Sequence, residues 1–289
     1  MHEFSYEAPS TIEEAVRLLS ASGDGARVLC GGTDILIQMR AGIRRPSRLV
    51  DVKGIPELRR ITFDPKSGLR LGAAVPCIEI FESAPMHKHY PGLTEAAHLI
   101  GSTQIQSRAS VGGNLCNGSP AADTTPALMA LGAVAHLVGR KGSREVPVEE
   151  FVTAPGQTVL QPGELLVELR IAPPPPHSSD CYLRLIPRNE MDIAVVGVGA
   201  SVTLDGERCV AARIALGAVG PTQIMARKAG DSLVGKKLDA AAIDNAARLA
   251  IEASKPIDDM RGTAEYRRHI VGVLTRRALN GAAERARSN

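Results

Sequence analysis

Two glycine pairs constrain the fold of this chain more than any other feature of its sequence. The first lies in Cys30-Gly31-Gly32-Thr33-Asp34, and the second lies in residues 110–117, Ser-Val-Gly-Gly-Asn-Leu-Cys-Asn. Paired glycines let consecutive backbone N–H groups converge on an anion, and nearby hydroxyl and amide side chains add further donors. Each segment is therefore a candidate turn for binding a phosphate or diphosphate. A single Gly-Gly pair is also typical of an ordinary tight turn.

The spacing of these glycines does not fit the common nucleotide-binding loops. Neither segment has the G-x-G-x-x-G pattern of a Rossmann dinucleotide site. Residues 230–237 have the glycine spacing of a Walker A loop, but Lys237 stands where a magnesium-binding Ser or Thr is required, and no apolar strand precedes it. We interpret that segment as a surface turn and expect a different nucleotide fold around the two glycine pairs.

Local patterns predict a mixed α/β or α+β chain. Ser10 and Glu13 form a capping-box pattern ahead of an amphipathic helix. A short strand over residues 27–30 then ends at the first glycine pair, and an apolar run over 35–39 predicts a helix. Further strands are predicted over 48–52, 69–75, 133–138 and 165–171, and further helices over 79–83 and 93–100.

A proline run divides the chain into two predicted domains. Residues 172–179 include four consecutive prolines, which cannot donate to a sheet ladder and favour extended polyproline geometry. Beyond the run, the patterns predict a small sheet backed by helices. Its strands are expected over 181–186, 193–204 and 210–218, and its helices over 240–254 and 263–282.

Composition excludes several classes of protein. The 34 Lys and Arg residues against 31 Asp and Glu give a net charge of only +3, which does not favour nucleic acid as the main partner. We expect no membrane span and no signal peptide, and therefore a soluble cytoplasmic protein. The five cysteines contain no C-x-x-C pair, so we expect no disulfide framework and no metal site in this chain.

Five segments, taken in order, resemble the FAD-binding subunit family of molybdenum hydroxylases, which includes xanthine dehydrogenase and aerobic carbon monoxide dehydrogenase. They are Phe4-x-Tyr6-x-x-Pro9, the two glycine pairs, residues 188–194 and the ending Asp258-x-x-Arg261-x-x-x-x-Tyr266-Arg267. The resemblance implies an α+β fold. It places a vanillyl-alcohol-oxidase-type FAD domain at 1–175, with subdomains at about 1–55 and 56–175. A carbon monoxide dehydrogenase flavoprotein-type domain follows at 176–289.

The resemblance also implies which residues contact FAD. Backbone amides of the first segment and the Thr33 hydroxyl would wrap the diphosphate, and the second segment would hold its other side and the ribityl chain. Ile100 and Leu166 match positions near the isoalloxazine ring, although either is equally explained as core. Arg184 stands where some relatives carry a Lys next to the flavin. It is also explained as an ordinary surface Arg in a strand, with no contact to the flavin. The full expected set is Val28, Leu29, Cys30, Gly31, Gly32, Thr33, Asp34, Ile35, Ile100, Ser110, Gly112, Gly113, Asn114, Asn117, Asp123, Leu166 and Arg184.

By resemblance, the chain is an electron-transfer subunit with no catalytic acid or base of its own. A large subunit would carry the molybdopterin cofactor, and a small [2Fe-2S] subunit would pass electrons to FAD, in a dimer of heterotrimers. The external acceptor would be NAD, a quinone or a similar molecule. Thr33-Asp34 resembles the xanthine dehydrogenase branch, whereas carbon monoxide dehydrogenases more often have His-Ser there.

Three alternatives remain at this stage. One is a subunit of a carbon monoxide dehydrogenase-like complex. Another is a stand-alone flavin reductase that resembles UDP-N-acetylenolpyruvoylglucosamine reductase, which would need a proton donor beside the flavin and a pocket for its own substrate. A third is a flavinless assembly module, which the intact glycine segments disfavour.

Overall fold

The structure, a computed structural model, describes residues 2–289. Its first part is a three-stranded parallel sheet whose strands are joined by two helices. These elements are β1 (Ser5–Glu7), α1 (Ile12–Ser22), β2 (Ala26–Leu29), α2 (Ile35–Arg40) and β3 (Arg48–Asp51). The strand order is β1-β3-β2, so the chain crosses over twice through helices, as parallel pairing requires.

Helix α1 begins one residue later than its capping box predicts. Thr11, not Ser10, is the N-cap: its backbone is extended, and its hydroxyl accepts a hydrogen bond from the N–H of Glu14 at 3.2 Å. The predicted Ser10 cap is therefore wrong. Both hydroxyls could cap a helix, and the start at Ile12 is fixed by tertiary burial of the face that packs on the sheet, which includes Ala15 and Leu19.

A second, antiparallel sheet is built from strands between residues 61 and 171. These are β4 (Ile61–Asp64), β5 (Gly68–Gly72), β6 (Val134–Gly139), β7 (Gly142–Pro147) and, after a small hairpin of β8 (Val152–Ala154) and β9 (Gln157–Thr158), β10 (Leu165–Ile171). The sheet order is β4-β5-β10-β6-β7. Strand β10 has the predicted bounds, and its central position explains its nearly continuous apolar sequence.

Seven short helices accompany the second sheet. They are α3 (Cys77–Glu82), α4 (Ala84–His89), α5 (Pro91–His98), α6 (Thr103–Gln106), α7 (Val111–Asn117), α8 (Thr124–Ala130) and α9 (Val148–Phe151). The second glycine pair therefore lies in the first turn of α7, and its prediction as a turn is wrong. The Ser110 hydroxyl caps this helix, and Gly118 ends it in a left-handed conformation.

The C-terminal part is an antiparallel sheet backed by helices, as predicted. Its elements are β11 (Ser178–Leu185), β12 (Val196–Asp205), β13 (Arg208–Gly217), β14 (Ile224–Met225), α10 (Arg227–Asp231), α11 (Ala240–Ala253) and α12 (Ala264–Ser288). Helix α12 continues beyond its predicted end at 282 because Ala283 and Ala286 are buried against the sheet. The α+β architecture is confirmed. The predicted domain boundary falls in the segment between β10 and β11.

Helices α5 and α8 pack against the C-terminal sheet and join it to the rest of the molecule. The approach is close at Gly199, where an added Cβ would stand 2.5 Å from the carbonyl oxygen of Pro126. Arg285 of α12 forms an ion pair with Glu95 of α5. No helix within residues 2–289 has the length and apolar character needed to cross a membrane.

Candidate functional site

A cleft of about 540 Å³ is lined by residues of both N-terminal sheets, including Val28 of β2 and Leu166 of β10. Its volume lies within the range of about 300–1,000 Å³ that is usual for small-molecule sites. Both glycine segments line it, together with the turn between β8 and β9 and the segment that leads into β10. The tertiary structure therefore brings the two sequence motifs to a single site.

The first glycine segment presents unpaired donors to this cleft. Gly32 has φ +81°, a left-handed conformation that favours glycine. Within the described chain, the backbone N–H groups of Gly32, Thr33, Asp34 and Ile35 donate to no acceptor. All four residues line the cleft. These four consecutive donors are open to the cleft, so this cradle fits an anionic ligand such as a phosphate or diphosphate.

The second glycine segment is fixed by its cap and by a close backbone contact. The Ser110 hydroxyl accepts a hydrogen bond from the N–H of Gly113 at 3.0 Å and lies 3.1 Å from the Cys30 sulfur. A Cβ on Gly112 would stand 2.5 Å from the carbonyl oxygen of Ala73. A Cβ on Gly113 would contact only the Ser110 hydroxyl. Gly112 is therefore required for packing, whereas Gly113 keeps side-chain atoms out of the cleft.

Asn117 links the two glycine segments. Its side-chain amide donates to the Asp34 carboxylate at 3.2 Å, and its oxygen accepts from the Gln38 amide at 3.0 Å. Burial raises the pKa of Asp34. The neighbouring Asn114 uses its oxygen to accept hydrogen bonds from the hydroxyl and N–H of Thr124, which leaves its NH₂ group available at the cleft.

Comparison with known proteins shows the family to which the chain belongs. The family model described as "FAD binding domain in molybdopterin dehydrogenase" matches residues 2–174, and the model described as "CO dehydrogenase flavoprotein C-terminal domain" matches residues 181–282. The chain belongs to the FAD-binding subunit family of molybdenum hydroxylases. The family resemblance inferred from the sequence is thus confirmed.

Relatives of this FAD-binding subunit match over nearly their whole length. The carbon monoxide dehydrogenase medium chain of Afipia carboxidovorans is 35% identical over 285 residues, covering 99% of this chain and 98% of that protein. The putative xanthine dehydrogenase FAD-binding subunit of Escherichia coli K12 is 30% identical over 283 residues, covering 98% and 97%. A solved structure of carbon monoxide dehydrogenase from Hydrogenophaga pseudoflava, which lacks the Mo-pyranopterin moiety, matches with TM-score 0.94 and 33% identity over 98% of each chain.

Most residues that the sequence assigned to the FAD site of this subunit line the cleft. Those that do are Val28, Cys30, Gly31, Gly32, Thr33, Asp34, Ile35, Ile100, Ser110, Gly112, Gly113, Asn114, Asn117 and Leu166. Leu29, Asp123 and Arg184 do not line it. Ile100 and Leu166 also pack against the hydrophobic core of the second sheet, so their core role and their cleft position coexist.

Asp123 and Arg184 form a buried cluster with Tyr182. Arg184 donates to one oxygen of the Asp123 carboxylate at 2.6 Å, and the Tyr182 hydroxyl donates to the other at 2.8 Å. Burial raises the pKa of Asp123 even though Arg184 favours its charged form. The Arg184 side chain is only 4% exposed, so its alternative reading as a surface residue is wrong. The cluster joins the start of α8 to the C-terminal sheet.

The cleft contains residues that sequence reasoning missed. Arg27 and Arg44 line it, as do residues 156–158 and 160–165 around β9 and the entry to β10. Arg27 lies three residues before Cys30, so a basic residue near a candidate phosphate loop was an available signal. Residues 156–158 and 160–165 carry no motif, and only the sheet pairing of β10 brings them to the cleft.

The cysteines are free thiols, and two of them, Cys30 and Cys116, line the cleft. Burial raises the pKa of Cys30 and raises that of Cys116 to about 12, so both remain protonated at neutral pH. No group of three or more His, Cys, Asp or Glu side chains in residues 2–289 is arranged to hold a metal ion.

Proposed function

We propose that this chain binds FAD in the cleft and passes electrons from a [2Fe-2S] partner subunit to an external acceptor such as NAD or a quinone. The observation that carries the proposal is the row of four unpaired amides, from Gly32 to Ile35, which faces the capped second glycine segment. Such a row of donors suits the diphosphate of a dinucleotide. Relatives that match over almost their whole length, including one named as an FAD-binding subunit, support it.

Each glycine segment has its own part in holding the diphosphate. The amides of the first segment and the Thr33 hydroxyl bind one side, with Val28, Leu29 and Cys30 supporting the loop. The second segment contributes its capped helix start and the free NH₂ of Asn114. Asn117 acts indirectly, because its amide is already committed to Asp34 and Gln38.

The apolar end of the cleft orients the ring and excludes water from it. Ile100 and Leu166 supply side chains there, supported by the core beneath them. When bound, FAD supplies redox chemistry that accepts electrons one at a time and releases them in pairs. Asp123 and Arg184 belong to the proposed site as a buried pair that holds α8 behind Asn114. No side chain of this chain acts as a general acid or base.

Two partner subunits complete the proposed enzyme. A large subunit holds the molybdopterin cofactor and the substrate, and a small subunit holds the [2Fe-2S] clusters, in a dimer of heterotrimers. The name "medium chain" of the Afipia relative supports a multi-subunit setting. The match of the C-terminal domain over residues 181–282 favours this setting over a self-contained flavin reductase.

For the whole complex, we propose a xanthine dehydrogenase-like substrate, an aromatic N-heterocycle or a related carbonyl compound. Thr33-Asp34 supports this class. A carbon monoxide dehydrogenase-like complex is the second candidate, favoured by the 35% identity to the Afipia chain against 30% to the E. coli subunit. Rates of the purified complex with xanthine, other N-heterocycles, aldehydes and carbon monoxide distinguish the two candidates.

An absorption spectrum tests the core of the proposal. The full chain, purified and incubated with FAD, should show oxidised flavin bands after unbound FAD is removed by gel filtration. A reduced [2Fe-2S] partner should then bleach those bands under anaerobic conditions. A chain that retains no flavin after incubation would refute FAD binding, and retained flavin that the partner cannot bleach would refute the electron-transfer role.

A further inference from the structure

Two cationic side chains line the cleft, among three acidic ones. Within residues 2–289, Arg27 and Arg44 are the only lysine or arginine residues that line it. Its acidic lining residues are Asp24, Asp34 and Glu164. Neither arginine forms a salt bridge with any of these, or with another carboxylate of the described chain. Two unpaired guanidinium groups in one cleft indicate an anionic ligand.

Arg27 is positioned by backbone carbonyls. One of its terminal nitrogens, Nη1, donates hydrogen bonds to two backbone carbonyl oxygens, that of Asp24 at 2.9 Å and that of Ala26 at 2.7 Å. These bonds fix the guanidinium plane beside β2 and leave its other N–H groups for a ligand. Burial lowers the pKa of Arg27, and the charge of Arg44 lowers it further.

Arg44 reaches the cleft from the segment after α2. Its Nη2 lies 3.9 Å from the position of a Cβ on Gly156, in the turn between β8 and β9. It donates to no acceptor within residues 2–289. Arg44 lies close enough to lower the pKa of Arg27, while the Asp24 carboxylate raises it, and an anion bound between the two guanidinium groups would relieve their repulsion. Their combined charge equals the two negative charges of a diphosphate.

We propose that Arg27 and Arg44 together form the electrostatic clamp for the diphosphate of FAD, and that they make this chain select FAD over flavins without a diphosphate. The inference rests on the proposed FAD function. The glycine segments supply N–H dipoles but no full positive charge, and they carry the acidic Asp34. The arginines supply that charge and a bidentate donor geometry suited to phosphate oxygens.

Titration of the full chain with FAD, ADP-ribose and riboflavin tests the clamp. Arg27→Gln and Arg44→Gln should each weaken FAD binding by about tenfold, and the double variant by about 100-fold. ADP-ribose, which carries the diphosphate without a flavin, should lose the same factors. Riboflavin, which carries no phosphate, should bind the variants and the wild type equally. Arg27→Lys should restore part of the FAD affinity, because the charge returns without the fork.

Arg45→Gln is the matched control, because Arg45 is an exposed neighbour that does not line the cleft. If the wild type and the control bind FAD, and Arg27→Gln and Arg44→Gln bind it with unchanged affinity, the clamp is overturned. The proposed function then stays intact. Equal losses for riboflavin and FAD would also overturn it, since they indicate a distorted cleft. A wild type that binds neither FAD nor ADP-ribose would instead refute the proposed function. Circular dichroism confirms that each variant is folded.

Discussion

The α-carbon of Gly31 lies against the carbonyl oxygen of Arg108, so close that a Cβ added at Gly31 would stand 2.1 Å from that oxygen. This contact presses the first glycine segment directly onto the residues that precede the second. Gly31 does not need a left-handed backbone, since its φ is not positive. Because Gly31 has no side chain, the two backbones can touch, and the position of the first glycine segment against the second depends on that contact.

Gly31→Ala should separate the two segments. The added methyl group meets backbone atoms that cannot move aside, so we expect the free energy of unfolding to fall by about 2–3 kcal/mol. FAD retention should be lost together with stability. Urea unfolding of the apo chain and gel filtration with FAD measure the two effects. A Gly31→Ala variant as stable as the wild type would contradict the contact.

Gly113→Val should abolish FAD retention at little cost to the fold. A Cβ at Gly113 meets only the Ser110 hydroxyl, at 3.0 Å, and no backbone atom. The loss should be about 1 kcal/mol, from the weakened cap of α7. The branched side chain occupies the diphosphate side of the cleft. Retained flavin in this variant would show that the diphosphate binds elsewhere. Gly112→Ala, which meets the Ala73 backbone, should instead destabilise the fold.

Asn117→Ala should loosen the link between the glycine segments. It removes hydrogen bonds to Asp34 and from Gln38, so we expect about 1 kcal/mol lower stability and about tenfold weaker FAD binding. Asn117→Asp should be worse than Asn117→Ala, because it places a second carboxylate beside Asp34. Fluorescence titration with FAD checks the order of the three chains. Equal affinity for Asn117→Asp and the wild type would rule out the linking role.

Arg184→Met should cost about 3–5 kcal/mol of stability, because it leaves the Asp123 carboxylate buried without its cation. Tyr182→Phe removes one hydrogen bond from the same carboxylate and should cost only about 1 kcal/mol. Combining Arg184→Met with Asp123→Leu should recover part of the loss, since no unpaired charge then remains. Urea unfolding curves of the wild type, Tyr182→Phe, Arg184→Met, Asp123→Leu and the double variant test this. Additive losses in the double variant would exclude a coupled pair.

Asp180 should make stability depend on pH. Burial raises its pKa from 3.8 to about 7, with the charge of Glu95 adding to the shift, and its Oδ2 accepts from the N–H of Leu93 at 3.2 Å. Between these two pKa values the folded chain keeps a proton that the unfolded chain has lost. Stability therefore falls as pH rises through this window, by up to about 4 kcal/mol.

Asp180→Asn should remove that dependence. The amide stays neutral and still offers an oxygen to Leu93. Relative to the wild type, the variant should gain about 2–3 kcal/mol between about pH 5 and about pH 8. Unfolding free energies measured at both pH values provide the check. Parallel pH profiles for the two chains would show that Asp180 is ionised in the folded state throughout this range.

Local sequence patterns predicted the elements better than their ends. The bounds of β10 were correct because all of its residues except Arg170 are buried. The cap of α1 was misplaced by one residue, since Ser10 and Thr11 are chemically equivalent caps and burial of the helix face decides between them. The second glycine pair was taken for a turn because glycine disfavours helices, yet packing against Ala73 requires it in one.

The sequence by itself determined the family, the α+β class and both glycine segments of the cleft, because those depend on short segments whose residue types and order are distinctive. Only the tertiary structure decided that Gly31 contacts Arg108 and that Asp123 and Arg184 form an ion pair away from the cleft. It also decided that Arg27 and Arg44 line the cleft without forming salt bridges. These relationships join residues that are distant in the chain. Sheet pairing and core packing fix them, and no local pattern encodes them.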